Sequence, residues 1–546
     1  MDFSSILSGG FGAAQLTSYF SLAYLAVFLP ATIVLYWLMP QKARRWVMLI
    51  AGYAFFWIIS GKLVIFLILT TFSIHWFGLW LDKLNQLRKT EAKAAADRAE
   101  KKTIKKAYQR RQRGVVFLAA VLHIGTLLLL KYSPFFTTNI NSLLESIGVH
   151  FAFDIPKYIL PIGISFFTMQ AMSYIFDVYN GTVKADHNLL RLALYIGFFP
   201  QIVEGPICKY NDTADQIYQA KQISYANLTL GLQRILYGLM KKMVVADRLN
   251  PVVTTIFDDY SKFSGPTIFF GAVAYTIQLY MDFSGTMDAV CGTAQIFGIT
   301  MPENFKRPFF SKSISEFWKR WHITLGAWFR DYIFYPVSMS KPMKNLTTSA
   351  RKKLGNHFGP LLAGAVALFC VWFCNGLWHG AAWSYIFFGM YHFALILSGN
   401  IIAPFSKNLN KKLHINSECF AYKAMQIVRT TVFVVIGEMF FRAHGLKAGL
   451  AMFKKLVTDF SLAELKDGYL TALGVDIKDI IIVAVTLIII FVVSVLNEKG
   501  ILIREKLSQK NIVLRWLVFL SLILFIVIFG AYGAGYDPVD PIYANF

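Results

Sequence analysis

Apolar stretches of about twenty residues recur from one end of this 546-residue chain to the other, and few folds are open to a chain written that way. In lipid the backbone must satisfy its own hydrogen bonds, so repeated runs of that length dictate helices. The runs fall at residues 21–39, 46–60, 62–81, 115–131, 157–178, 360–376, 382–400, 425–442, 478–497 and 512–532. They predict an all-α, polytopic integral membrane protein of roughly 10–12 transmembrane helices, supplemented by re-entrant or interfacial helices. Composition agrees, with 56% hydrophobic and 16% aromatic residues and a mean hydropathy of +0.50.

Charge orients the runs. The chain carries 54 Lys and Arg against 31 Asp and Glu, a net +23, and most of the excess lies in short segments between apolar runs. That is the positive-inside pattern of a membrane protein, and no nucleic acid partner is expected from it. Lys42, Arg44 and Arg45 after the first run place the amino terminus outside. Residues 82–113, with twelve Lys or Arg and four acids, read as a solvated, basic cytoplasmic helical connector. The stretch 189–290 is ambiguous, because Glu204, Lys209, Lys241, Lys242, Asp282 and Asp288 interrupt it. Basic residues from Lys306 to Lys353 lie inside, and the last runs then place the carboxyl-terminal tail, 533–546, outside. The start MDFSSILSGG lacks the basic region of a cleavable signal peptide, and no internal repeat of the kind that builds duplicated transporters is evident.

Two histidines stand out inside tryptophan-rich apolar sequence: His322 in FWKRWHITLGAWFRDY and His379 in NGLWHGAAWSY. Imidazole exchanges protons near neutral pH, and an ionisable group at membrane depth is costly enough to point to function. Asn375 lies one helical turn before His379, where a neutral amide can orient a ring, hold an oxyanion or make a helix contact. Other polar residues read more plainly. Asp177, Asp282, Asp288 and Glu204 suit pairing roles, and His75, His123, His392 and His444 suit packing or interfacial ones. Arg330 and Asp331, adjacent on a helix, are expected to point apart and pair elsewhere. Of five cysteines only Cys370 and Cys374 share a helix face, and no metal site is expected.

At these motifs the chain resembles the membrane-bound O-acyltransferases, in the bacterial branch of alginate O-acetyltransferases and teichoic-acid D-alanyl transferases. The resemblance extends over nearly the whole chain, through PIGISFFTMQAMSYIFDVY at 161–179, FFPQIVEGPICKY at 198–210, YMDFSGTMDAVCG at 280–292 and PENFKRPFFSKSISEFWKRWHITLGAWFRDYIFYP at 302–336. It implies one membrane domain over 1–546 with helices around a central tunnel. It implies a transmembrane O-acetyltransferase of a bacterial inner (cytoplasmic) membrane, taking acetyl from cytoplasmic acetyl-CoA as substrate, with no bound cofactor. The acceptor would be a cell-surface or secreted polysaccharide, modified with help from an extracytoplasmic acetyltransferase partner.

By the same resemblance His379 is the catalytic base. His322 is a second catalytic or donor-side residue, and Trp318, Trp321, Trp378, Arg320 and Arg330 support it or line a donor tunnel. Tyr543, in the terminal PIYANF, matches a tyrosine thought to relay the acyl group. Departures from the family pattern are Ala544-Asn545 in that tail, VSMSKPMKN after Pro336, and GEMFFRA where a tryptophan-bearing form is usual. The alternatives are a D-alanyl or other acyl transferase fed by an acyl carrier protein and, in another class, a polytopic polysaccharide transporter or scaffold.

Overall fold

In the computed structural model, residues 19–464 and 468–532 are described, so Tyr543 and the tail from 533 lie outside the described residues. Those described form helices, 3-10 and π turns and connecting loops, with no strand among them. The chain divides into two compact units. Of the described residues, one unit holds those up to Leu232 together with Val290–Pro302, and the other holds Gln233–Ala289 and those from Glu303 to Tyr532.

In the first unit, α1 (Gln41–Ser60) and α2 (Val64–Ala94) are joined by a single 3-10 turn, and α3 (Arg98–Ser146) returns along α2. The basic segment 82–113 is therefore two antiparallel arms rather than one solvated helix. Asn85 accepts from Gln112 at 2.8 Å, and Tyr108 donates to Glu91, the pairings of a hairpin in register. Its turn is built by Asp97, which caps the Glu100 amide at 2.7 Å while Glu100 reaches back to Ala96, a reciprocal cap. The run at 157–178 also differs from expectation. Pro161 and Gly163, the latter with φ of 75°, confine the helix to α4 (Ile164–Asn180), whose residues are almost all buried. That segment is protein core rather than a lipid-facing span, because a left-handed glycine and a proline stop it short.

The second unit contains most of the helix α5 (Gly265–Ile296), then the short α6 (Ile314–Arg320) and α7 (Ile323–Phe329), and the long α8 (Lys341–His379), α9 (Trp383–Lys412) and α10 (Phe420–Arg442). Two further apolar helices, α11 (Ile477–Glu498) and α12 (Ile512–Phe529), close it. Seven stretches among the described residues are long and apolar enough to cross a membrane: Gln41–Ala94, Arg98–Ser146, α8, α9, α10, α11 and α12. The protein is accordingly an all-α integral membrane protein. Ala23–Leu38 is apolar but shorter, and α5 does not meet the same apolar standard. Exposed Leu, Ile, Val and Phe line α11 and α12, the side chains that lipid would cover.

The second unit also pairs four of the charges that made 189–290 ambiguous, Lys241, Lys242, Asp282 and Asp288. Lys242, with 3% of its side chain exposed, bridges Asp247 at 2.8 Å and Asp282 at 2.9 Å. Lys241 meets Asp288 at 2.7 Å and donates to Ser284 at 3.2 Å, and Arg234 shares Asp288 at 2.9 Å while forking onto Glu303. Each buried cation here faces a carboxylate, which is what a low-dielectric interior demands.

Candidate active site

His379 is the last residue of α8, and its position follows from the glycine after it. Gly380 is extended at φ 171°, which ends the helix, and a Cβ there would sit 2.4 Å from the Tyr385 ring. Only three residues then separate α8 from α9, so the chain doubles back tightly with His379 at the turn. Deeper in the hairpin a Cβ on Gly376 would meet the Tyr385 carbonyl oxygen at 2.5 Å, so the two backbones pack closer than any larger residue permits. His379 is 5% exposed, and its ring meets Phe441 of α10 edge-on at 5.0 Å, Phe388 of α9 at 5.9 Å and its neighbour Trp378 at 4.9 Å.

His322 is held by a different device. It is the N-cap residue of α7 with φ 45° and ψ 52°, a left-handed conformation unusual for a residue with a Cβ, and it is 3% exposed. Asn304 braces that turn. Its carbonyl oxygen accepts from the Ile323 amide at 3.0 Å, and its side-chain Oδ1 accepts from the Thr324 amide at 3.0 Å and hydroxyl at 2.7 Å. The His322 ring packs on Phe283 of α5 at 4.8 Å and on Trp378 at 5.6 Å. Burial pushes its imidazole down to about 3, so it is neutral at physiological pH.

Trp378 thus touches both histidine rings, and 57 residues of sequence separation collapse onto one indole. The other expected site residues divide. Trp321 is buried among Tyr280, Phe305, Phe309 and Phe317, a packing position one residue from His322. Trp318 donates its indole N–H to Nδ1 of His392 at 3.2 Å. Arg320 is taken up by Glu316 at 2.9 Å and by Glu498 at 3.1 Å, and Arg307 shares Glu498. Arg330 pairs with its own neighbour Asp331 at 2.9 Å, contrary to the expectation that the two diverge. The local backbone is a π turn over Arg330–Phe334, and the half-exposed guanidinium folds back along it to reach the adjacent carboxylate.

Three contributors were not singled out as site residues from sequence. Asn304 stands inside the quoted segment PENF, where an asparagine two residues after a proline reads as an ordinary turn. His392, read as packing, is fully buried and hydrogen-bonded to a tryptophan of the histidine motif. Glu438, in GEMFFRA, is 2% exposed near the carboxyl-terminal end of a membrane-spanning helix, and that departure from pattern was its one signal. Asn375 is buried, and no described residue donates to its Oδ1.

An acyl-transfer site needs a base and water-poor surroundings for the reacting carbonyl, and a buried imidazole ringed by aromatic side chains is a candidate for that base. The sequence model of the membrane-bound O-acyltransferase family matches residues 163–351, which include Asn304 and His322 and stop short of His379. The chain is 32% identical to the "Probable alginate O-acetylase AlgI" of Pseudomonas syringae pv. tomato over 83% of its own length and 78% of that protein's. The chain belongs to the membrane-bound O-acyltransferase family. Within this acyltransferase family it is also similar to a peptidoglycan O-acetyltransferase of Helicobacter pylori, 29% identical over 63% of the chain and 64% of that protein. A teichoic acid D-alanyltransferase of Bacillus subtilis is 33% identical over 45% of the chain and 60% of its own length. The protein is therefore an integral membrane O-acyltransferase, and the two histidines gathered on Trp378 are its candidate catalytic pair.

Proposed function

We propose that the protein moves an acetyl group from acetyl-CoA on the cytoplasmic side of a bacterial cell membrane to the outer face, for O-acetylation of a surface or secreted polysaccharide. The observation that carries this reading is the contact of one buried indole with both His322 and His379 at the end of a membrane helix. A sugar or tyrosine hydroxyl is a poor nucleophile at neutral pH, so His379 takes its proton as the oxygen attacks the thioester carbonyl. The thiol leaves, and the oxygen ester stays. General base catalysis of this kind contributes about 10²–10⁴-fold. His322, neutral and held from behind by Asn304, is a donor-side residue, and Trp378 fixes its distance from the base. Arg320 and Arg330 already have carboxylate partners, so donor phosphates would have to compete with Glu498, Glu316 and Asp331 for them. Tyr543 in the outer tail takes the acetyl group as a phenolic ester and hands it to a separate extracytoplasmic transferase. A phenoxide leaves more readily than an alkoxide, so the ester can pass the group on without a second thioester.

The test is mass spectrometry of the purified protein after incubation with labelled acetyl-CoA, in wild type, His379→Ala and Tyr543→Phe. An acetyl adduct on the 536–546 peptide, lost in both variants, supports donor, base and relay together. Donor consumption without an adduct moves the handover to a partner. Inertness toward acetyl-CoA combined with transfer from a D-alanyl carrier protein replaces the donor, and D-alanyl transfer is the activity in the name of the Bacillus subtilis relative.

A further inference from the structure

Behind His379 the second unit keeps polar groups that the mechanism does not use and that no described residue satisfies. Asn375 precedes His379 by one turn of α8, is 7% exposed, and has no donor for its Oδ1. Glu438 precedes Phe441, whose ring rests on His379, by about one turn of α10. Its carboxyl has no hydrogen bond or ion pair among the described residues. His392 accepts from Trp318 at Nδ1, so its Nε2 carries the proton of the neutral ring. That Nε2–H has no acceptor, and it is turned against Gly437, the residue beside Glu438, where a Cβ would come within 2.8 Å of it. The His392 ring is packed by Trp318, Trp372, Phe388 and Tyr391.

The contrast with Lys241, Lys242 and Arg234 is sharp, since each of those buried charges has a carboxylate. Burying a polar group without a partner costs roughly 1–3 kcal/mol on mutational scales, and an intramembrane carboxyl marks a functional position by default. Two acceptors and one donor are left over. An amide group presents the complement, an N–H and a C=O.

We propose that Asn375 and Glu438, with the Nε2–H of His392, form a subsite for the amide of a pantetheine-type thioester arm, the donor-side part of the substrate. The inference rests on the thioester reading above. Spacing supports it. Two methylenes separate the sulfur of such an arm from its first amide nitrogen, about 4–5 Å when extended, against the ~5.4 Å of one helical turn. A thioester carbonyl held at His379 therefore trails its first amide one turn back along α8 and α10, where the unsatisfied groups stand. Free coenzyme A and an acyl carrier protein present the same arm.

The experiment measures kcat/KM of the full-length protein for two small donors, S-acetyl-N-acetylcysteamine, which has the amide, and S-hexyl thioacetate, which lacks it. Wild type should favour the amide donor about tenfold or more, the equivalent of one or two buried hydrogen bonds. Asn375→Leu and Glu438→Leu should each pull that ratio toward one, while Glu438→Gln, which keeps an acceptor oxygen, retains most of it. Should Glu438→Leu not fold, Asn375→Leu carries the same test. Equal losses on both donors, or no wild-type preference, overturn the subsite while leaving thioester transfer intact. Transfer from neither small donor nor from acetyl-CoA or an acetyl carrier protein overturns the thioester reading and the subsite with it. Run side by side, those last two donors identify the source of the arm, and the subsite requires both Leu variants to weaken whichever one is used.

Discussion

Two polar regions of the second unit are built on opposite terms. Arg234, Lys241 and Lys242 are matched by Asp288, Asp247 and Asp282 at 2.7–2.9 Å, and the charges lock one helix against the next. Around His379, Asn375 and Glu438 the histidine is packed by rings, while the amide oxygen and the carboxyl meet no polar partner among the described residues. The first arrangement is closed and the second is open. A closed network stabilises by geometry and has nothing left for a substrate; an open one retains hydrogen-bonding capacity at a cost in stability, as functional sites do.

The largest effects should fall on opposite observables. His379→Ala is expected to lower transfer by about 10²–10⁴-fold, far more than the lost ring packing on Phe441 and Phe388 accounts for, with the protein still folded in detergent. Unchanged transfer would remove the base from the proposal. Lys242→Met is expected to do the reverse, destabilising the fold by about 3–5 kcal/mol, because Asp247 and Asp282 are left buried without their cation. Restoring neutrality with Asp247→Asn and Asp282→Asn in the same chain should recover much of that loss. If Lys242→Met melted like wild type, the closed network would have no claim to a structural role.

This division explains what could be read from the sequence. Apolar runs announced membrane helices because length and hydropathy are local properties, and the helices from Lys341 to Phe529 lie where those runs are. The run at 157–178 misled, since Ile164–Asn180 is rich in Phe, Ile and Met but is a buried core helix, and Gln170, Asp177, Pro161 and Gly163 were its hints. His322 and His379 were visible through their tryptophan-rich motifs. Their meeting on Trp378 was not, because it depends on α7 and the end of α8 being brought together through space. Glu438 was noticed as a departure without being weighed as a site residue. Whether a buried carboxyl is paired depends on residues far away in sequence: Asp288 has Arg234 and Lys241, and Glu438 has neither.

A smaller effect tests the device that holds His322. Asn304→Ala removes the acceptor for the Thr324 amide and hydroxyl, and the left-handed turn loses its brace. The expected loss is about 1–3 kcal/mol, measured by thermal or denaturant unfolding, with a fall in activity larger than the stability change alone explains. Asn304→Asp, which keeps the acceptor oxygen, should retain more of both. Equal behaviour of the two variants would show that Oδ1 is not what positions the histidine.

The smallest expected change is in the shape of a pH profile, and it separates the two histidines most cleanly. Burial pulls His322 down to about 3, so it stays uncharged from pH 5 to 8 and gains no proton in the range where an imidazole base ordinarily loses activity. A base must be unprotonated to act, so transfer should fall as pH drops through the titration of the group that takes the proton. If that group is His379, replacing His322 with glutamine, neutral and of similar reach, leaves the position of this acid limb unmoved whatever it does to the rate. A limb displaced in His322→Gln would mean that His322 titrates with the reaction, and the two rings on Trp378 would then have to be treated as one coupled acid–base pair.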